Sequence, residues 1–205
     1  MSGAGRGNGW RSFFWTLFKR SRNAVALVDD ERLIVEVNGA FVTLTARERA
    51  DLIGHSLSEL NARGAQVSPR GWRAVVSRGE WMGEAELVRG DGRVIAVEYA
   101  AHPEVVTGRR LVLFVVIHSH RGGRRFRHTT GEIGPTAQLT ERERQIVHLV
   151  ALGMTSTEIA DELHIAPNTV RTHVRNAMAK VNARSRSHLV ALSLSEGRLH
   201  PDGHK

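Results

Sequence analysis

Near the C-terminal end, Arg171, Thr172 and Arg175 stand at i, i+1 and i+4 of a segment with helical periodicity, with Asn168 and Thr169 just ahead. Two guanidinium groups and a hydroxyl on one face have a defined chemistry. Arginine forks onto the O6 and N7 acceptors of guanine, and threonine offers a hydroxyl and a methyl group. Thr155 and Thr169 each lie at a helix start, where free backbone N–H groups and the helix dipole favour phosphate oxygens. The same spacing also describes a solvated face of an ordinary helical bundle, and periodicity alone leaves both readings open.

Other reactive side chains lack the partners their chemistry needs. Asp29-Asp30 follows a short apolar strand, as a phosphoacceptor would. A phosphoacceptor also needs a downstream lysine, and none lies between Lys19 and Lys180. Gly54-His55-Ser56-Leu57-Ser58 falls one residue short of a GxSxG nucleophile elbow. Glu84 and Glu86 alternate with Ala85 and Leu87, the pattern of a solvated strand face. His118 and His120 share a strand face, but no third metal ligand is evident, and His55 reads as an exposed loop residue. The absence of cysteine excludes disulfides, zinc fingers, iron–sulfur sites, cysteine nucleophiles and flavin–cysteine adducts. The chain reads as a non-enzyme, with no catalytic residues and no metal site.

The arginines are positioned by a run of short helices with clear punctuation. Thr140-x-x-Glu143 and Thr155-x-x-Glu158 are capping boxes, in which hydroxyl and carboxylate satisfy free N–H groups at a helix start. The first helix carries a buried stripe of Ile146, Val147, Leu149 and Val150 and ends at Gly153. The second carries Ile159, Ala160 and Leu163. After a turn at His164-Ile165-Ala166, Pro167 opens a third helix that runs to about Val181, with Val170, Val174, Ala177, Met178 and Val181 inward. Short helix, tight turn and longer helix make a helix-turn-helix, whose second helix fits a major groove about 12 Å wide.

The whole chain has 205 residues, enough for one large domain or two small ones, and 41% hydrophobic residues suffice for packed cores. Net charge is +8, spread as 16 basic and 13 acidic side chains in 1–118, 4 and 1 in 119–137, and 9 and 7 in 138–205. A polyanionic partner fits that balance, and so does a merely basic surface. Residues 1–11 read as a flexible tail, 12–118 as an α+β domain, 119–137 as a Gly- and Arg-rich linker, 138–197 as the helical domain and 198–205 as a tail. Upstream of the linker the spacing alternates, and Gly90-Asp91-Gly92 between Ala85–Arg89 and Arg93–Ala100 signals a hairpin. Asp29-Asp30-Glu31 turns another strand pair. Antiparallel strands with short helices over one face form a cup able to hold a ligand. Trp10, Phe13, Phe14 and Leu17 make an amphipathic lead helix, expected to pack on the α+β domain or on a second copy rather than on a membrane. No apolar run spans a bilayer and no signal peptide is evident, so the expected location is the cytoplasm.

Residues Leu139–Leu192 resemble the LuxR/GerE-type DNA-binding domain, with matches at Leu139-Thr140, Glu143, Gly153, Ile159-Ala160, Leu163, Thr169-Val170, His173-Val174, Lys180 and Arg186. The resemblance implies a four-helix module that docks on double-stranded DNA as a homodimer, with its last helix, from Ser187 to about Ser195, at the dimer seam. It places base reading on Arg171, Thr172 and Arg175, and backbone contact on Thr155, Thr169 and Lys180, with Asn168 beside them. Ala166 departs from the family's usual Ser, which removes a helix cap.

Val28–Leu60 and Gly79–Val105 resemble a PAS sensory domain, through Asn38, Phe41, Ile53-Gly54, Trp81, Gly83-Glu84 and Asp91-Gly92. Gly39 and Ala46 stand where that family often has Pro and Gly. A five-stranded antiparallel sheet with short helices is implied, which holds a small molecule, binds a partner protein, or is empty and mediates dimerisation. The cofactor stays unknown: there is no cysteine for a flavin adduct, and the helix at about Arg70–Arg78 lacks the histidine of haem-binding PAS sensors. The expected function is a PAS-controlled, sequence-specific transcriptional regulator. The alternative is a PAS-based adaptor that binds a protein partner and has little specific DNA binding.

Overall fold

A computed structural model describes residues 14–64, 68–77, 79, 81–106, 109–118 and 139–194. The sequence expectations for the N-terminal tail, for Trp10 and Phe13, for the 119–137 linker, for His120 and for the C-terminal tail lie outside these residues. The described residues fall into two compact units, one of 23–118 and one of 14–22 with 139–194.

The first unit is a five-stranded antiparallel sheet in the order β2-β1-β5-β4-β3. Its strands are β1 (Ala24–Val28), β2 (Ile34–Val37), β3 (Trp81–Val88), β4 (Val94–Val106) and β5 (Arg109–His118). Between β2 and β3 lie α2 (Gly39–Thr45), two 3-10 turns (Arg49–Asp51 and Leu57–Leu60) and α3 (Pro69–Ser77). The label α1 is kept for helical residues 14–20 of the other unit.

Alternation along the strands sorts the side chains. Ala24, Ala26, Val28, Val112, Phe114 and Val116 join Phe41, Leu52, Leu60, Trp72 and Val76 in one core. Val25, Leu27, Leu111, Leu113 and Val115, on the opposite face, are buried as well. Burial on both faces explains why β1 and β5 are written as nearly unbroken apolar runs. Aromatic rings fill the cup: Trp72 stacks on Phe114, and Trp81 meets both edge-on, at centroid distances of 5.5–6.0 Å.

Asn38 ties β1, β2 and α2 together. Its side chain accepts from Phe41 N (2.9 Å) and Val25 N (3.0 Å) and donates to Asn23 O (2.9 Å). The near-miss at Gly54–Ser58 is structural: Ser56 caps the second 3-10 turn in a box with Glu59, and exposed His55 pairs with Glu59.

The β3–β4 hairpin forms where the turn residues place it, and its tip rests on the end of α2. Gly90 N donates to Thr45 O (2.8 Å), and Arg89 donates to Leu44 O (2.6 Å). A Cβ on Gly90 would stand 2.1 Å from the Ala46 carbonyl oxygen, so only glycine fits. Ala46 itself caps α2 in the left-handed region, at φ 50° and ψ 39°.

The second unit contains α1, α4 (Glu141–Ala151), α5 (Ser156–Leu163), α6 (Pro167–Lys180) and α7 (Arg186–Leu194). The lead helix expected to pack on the α+β domain belongs here instead. Of the expected stripe, Phe14 and Leu17 are described and are each 3% exposed or less, as is Phe18 beside them. An amphipathic pattern states that a face must be buried, not which surface receives it.

Left-handed backbone costs a residue with a Cβ about 1–2 kcal/mol. Part of that is returned as glycine's larger loss of chain entropy. Ala46→Gly is therefore expected to stabilise the chain by about 0.5–1 kcal/mol, read as a higher urea midpoint at unchanged slope.

Candidate nucleic-acid interface

Helix α4 starts in the expected box: Thr140 caps it, and Glu143 Oε2 accepts from Thr140 N at 2.7 Å. Its end is a Schellman arrangement, with Gly153 at φ 88°. Gly153 N donates to Val150 O (2.9 Å) and Met154 N to Leu149 O (3.1 Å). Thr155 then caps α5 in a second box with Glu158, whose Oε2 accepts from Thr155 N at 2.7 Å.

His164 turns the chain in the left-handed region, Pro167 opens α6, and Ala166 makes no side-chain cap. The missing hydroxyl seen in the sequence is thus a missing hydrogen bond, a loss of about 0.5–2 kcal/mol relative to Ser. Helix α6 packs on α4 and α5, with Val170 and Ala177 wholly buried.

This frame leaves Arg171, Thr172 and Arg175 exposed together on one side of α6. Asn168, Thr169 and Thr155 are exposed as well. Asn168 organises the start of the face: its Oδ1 accepts from Arg171 Nη1 (2.7 Å), and its carbonyl accepts from the Thr172 hydroxyl (3.0 Å).

Lys180 stands apart from this group. Its ammonium donates to Glu143 Oε2 at 2.7 Å, linking the end of α6 to the start of α4. Burial pushes the Glu143 carboxyl up, while the Lys180 ammonium and the Thr140 donors pull it down, and the net position is below the usual glutamate range. Arg186, held largely away from solvent, donates to Met154 O and ties α7 to the α4–α5 turn.

Two further participants escaped the sequence reading. Ser21, 4% exposed, donates to Ala151 O at 2.5 Å. Arg22 N donates to Leu152 O (2.9 Å), and the Arg22 guanidinium forks onto both Glu158 oxygens at 2.9 and 3.0 Å. That fork, with the Thr155 N–H, holds the Glu158 carboxyl at about 2. No local spacing could reveal contacts across 130 and 136 residues.

In α7, each of residues 187–194 is buried within the single chain. The helix that the resemblance sets at a dimer seam therefore exposes no face in this conformation.

Comparison with known proteins finds two matched segments in the chain. Residues 137–193 match the family described as bacterial regulatory proteins, luxR family, and residues 22–119 match a PAS domain. Spore germination protein GerE of Bacillus subtilis is 44% identical over 61 residues, covering 30% of this chain and 82% of that protein. Transcriptional regulatory protein FixJ of Rhizobium meliloti is 46% identical over 59 residues, 29% of either chain. Nitrate/nitrite response regulator protein NarP of Escherichia coli is 40% identical over 65 residues. The chain spans only 29% and 30% of the length of these last two. Among solved structures, the PAS domain of an HTR-like protein from Haloarcula marismortui is 19% identical, with TM-score 0.47 over 56% of this chain and 95% of that one.

Lys180→Ala removes the cationic partner of the buried Glu143 carboxylate, and a loss of about 1–3 kcal/mol is expected in denaturant unfolding. Glu158 is expected to titrate near 2 by carboxyl NMR and to move up toward 4.5 in Arg22→Ala. The sign follows from the depressed value: what the pairing contributes to stability is full above the ordinary glutamate range and fades as pH falls toward about 2.

Proposed function

We propose a function for this chain from one premise: it belongs to the luxR family of bacterial regulatory proteins and carries a PAS domain ahead of the family's helical module. It is a sequence-specific DNA-binding transcriptional regulator, acting in the cytoplasm without a catalytic step of its own. The observation that carries this is the exposed cluster of Arg171, Thr172 and Arg175 on a helix whose other side is pinned to α4 and α5.

Laid in the major groove, the two guanidinium groups read guanine edges and Thr172 presents its methyl group, its hydroxyl being engaged with Asn168 O. Thr155 and Thr169, at the starts of α5 and α6, and Asn168 contact the backbone. Lys180 joins them only by sharing its ammonium with Glu143.

The PAS domain supplies control. A signal molecule or partner protein at this domain shifts the equilibrium of the helical unit. Two-fold DNA sites are read by a homodimer, and pairing through α7 requires that helix to be uncovered first, since residues 187–194 are buried in the single chain. A protein-binding adaptor with an idle helical module is the rival. Ala166, which makes no helix cap, is the feature that favours it, and binding to specific against scrambled duplexes separates the two.

The deciding experiment is selection of binding sites from a random duplex library, followed by titration on the selected and on scrambled duplexes. Arg171→Ala and Arg175→Ala are each expected to cost about 1–3 kcal/mol on the selected site and much less on the scrambled one. Selection of no site, or equal losses on both duplexes, would overturn the reading.

A further inference from the structure

The last carbonyls of an α-helix have no partner within the helix and must find one elsewhere. In α4, His148, Leu149 and Val150 are served by the local turn, through Leu152 N, Met154 N and Gly153 N. The next two, Ala151 O and Leu152 O, are served by Ser21 Oγ and Arg22 N, from a segment more than a hundred residues earlier. Desolvation, together with the positive charge of Arg20, lowers the His148 pKa in α4. Residues 14–22 therefore supply hydrogen-bond donors to the end of α4.

Arg22 goes one step further. It forks onto Glu158, the carboxylate of the box that caps α5 beside Thr155. The two side chains are 56% and 41% exposed, and exposed pairs of this kind contribute little to folding. Their consequence is local charge. An unpaired carboxylate at the start of α5 would repel a phosphate approaching Thr155, and the guanidinium cancels it.

We propose that residues 14–22 are a built-in fifth helix of the DNA-binding unit, and that Arg22 is a positioning residue for DNA affinity which neutralises Glu158 at the backbone-contacting start of α5. The proposal rests on the DNA-binding reading above. It also gives the sensor a direct route to the module: Arg22 ends one unit, and β1 of the PAS sheet begins two residues later, at Ala24.

The test uses the full chain, with thermal unfolding of each variant as the control for folding. Arg22→Ala is expected to weaken the selected and a random-sequence duplex alike, by roughly three- to tenfold at moderate salt, and to flatten the salt dependence by about one unit. Arg22→Lys should keep most of the affinity. Adding Glu158→Gln to Arg22→Ala should restore it, since glutamine still completes the capping box without the charge.

Unchanged affinity in Arg22→Ala overturns the proposal. So does a loss that neither Arg22→Lys nor Glu158→Gln recovers, because that is the behaviour of a brace. Tighter binding in Arg22→Ala also overturns it, showing that the segment obstructs DNA. A parent chain that binds no duplex at any salt sinks the DNA reading and this role together, whereas normal binding by the parent confines any failure to Arg22.

Discussion

A recognition helix can offer arginines to a partner only if its opposite side has nowhere else to go. In α6 that constraint is met by Val170 and Ala177, both fully buried, while Arg171, Thr172 and Arg175 stay in solvent. Removing those apolar surfaces from water fixes the helix rotation, and rotation decides which side chains face a groove. The remaining contacts of the unit hold that rotation in place. Lys180 pins the far end of α6 to the capping carboxylate of α4, and Arg186 ties α7 to the turn between α4 and α5.

The same unit shows how polar backbone ends organise a small helical fold. Beyond the two boxes and the Schellman turn, side chains from elsewhere in the unit serve some of its helix ends. Arg142 donates to Leu163 O at the end of α5, and Ser21 closes Ala151 O at the end of α4. At the start of α6, Ala166 offers no oxygen. Asn168 supplies local order there instead, bonded to both Arg171 and Thr172.

In the sheet unit, the aromatic cup and the covalent connection share one scaffold. The cup is lined by Trp72, Trp81, Tyr99 and Phe114, and Phe114 lies on β5, the strand that pairs with β1 along its whole length. Strand β1 is also where the chain arrives from Arg22. Within the sheet unit, the aromatic cup and the strand that follows Arg22 in the chain are therefore joined through the two central strands.

Much of this was written locally and could be read there. Both capping boxes, the Gly153 stop, Pro167 at the start of α6, the Gly90-Asp91-Gly92 hairpin and the outward triad follow from rules that act within four or five residues. Local stereochemistry and the periods 3.6 and 2 suffice for such features. Tertiary structure alone decided where the lead helix docks, that Lys180 is engaged by Glu143, that Ser21 and Arg22 donate to the end of α4, and that α7 is covered within one chain. An apolar stripe or a charged side chain specifies the kind of partner it needs. Its choice among many such partners is settled only when the whole chain is packed and the distant candidates compete for the same contact.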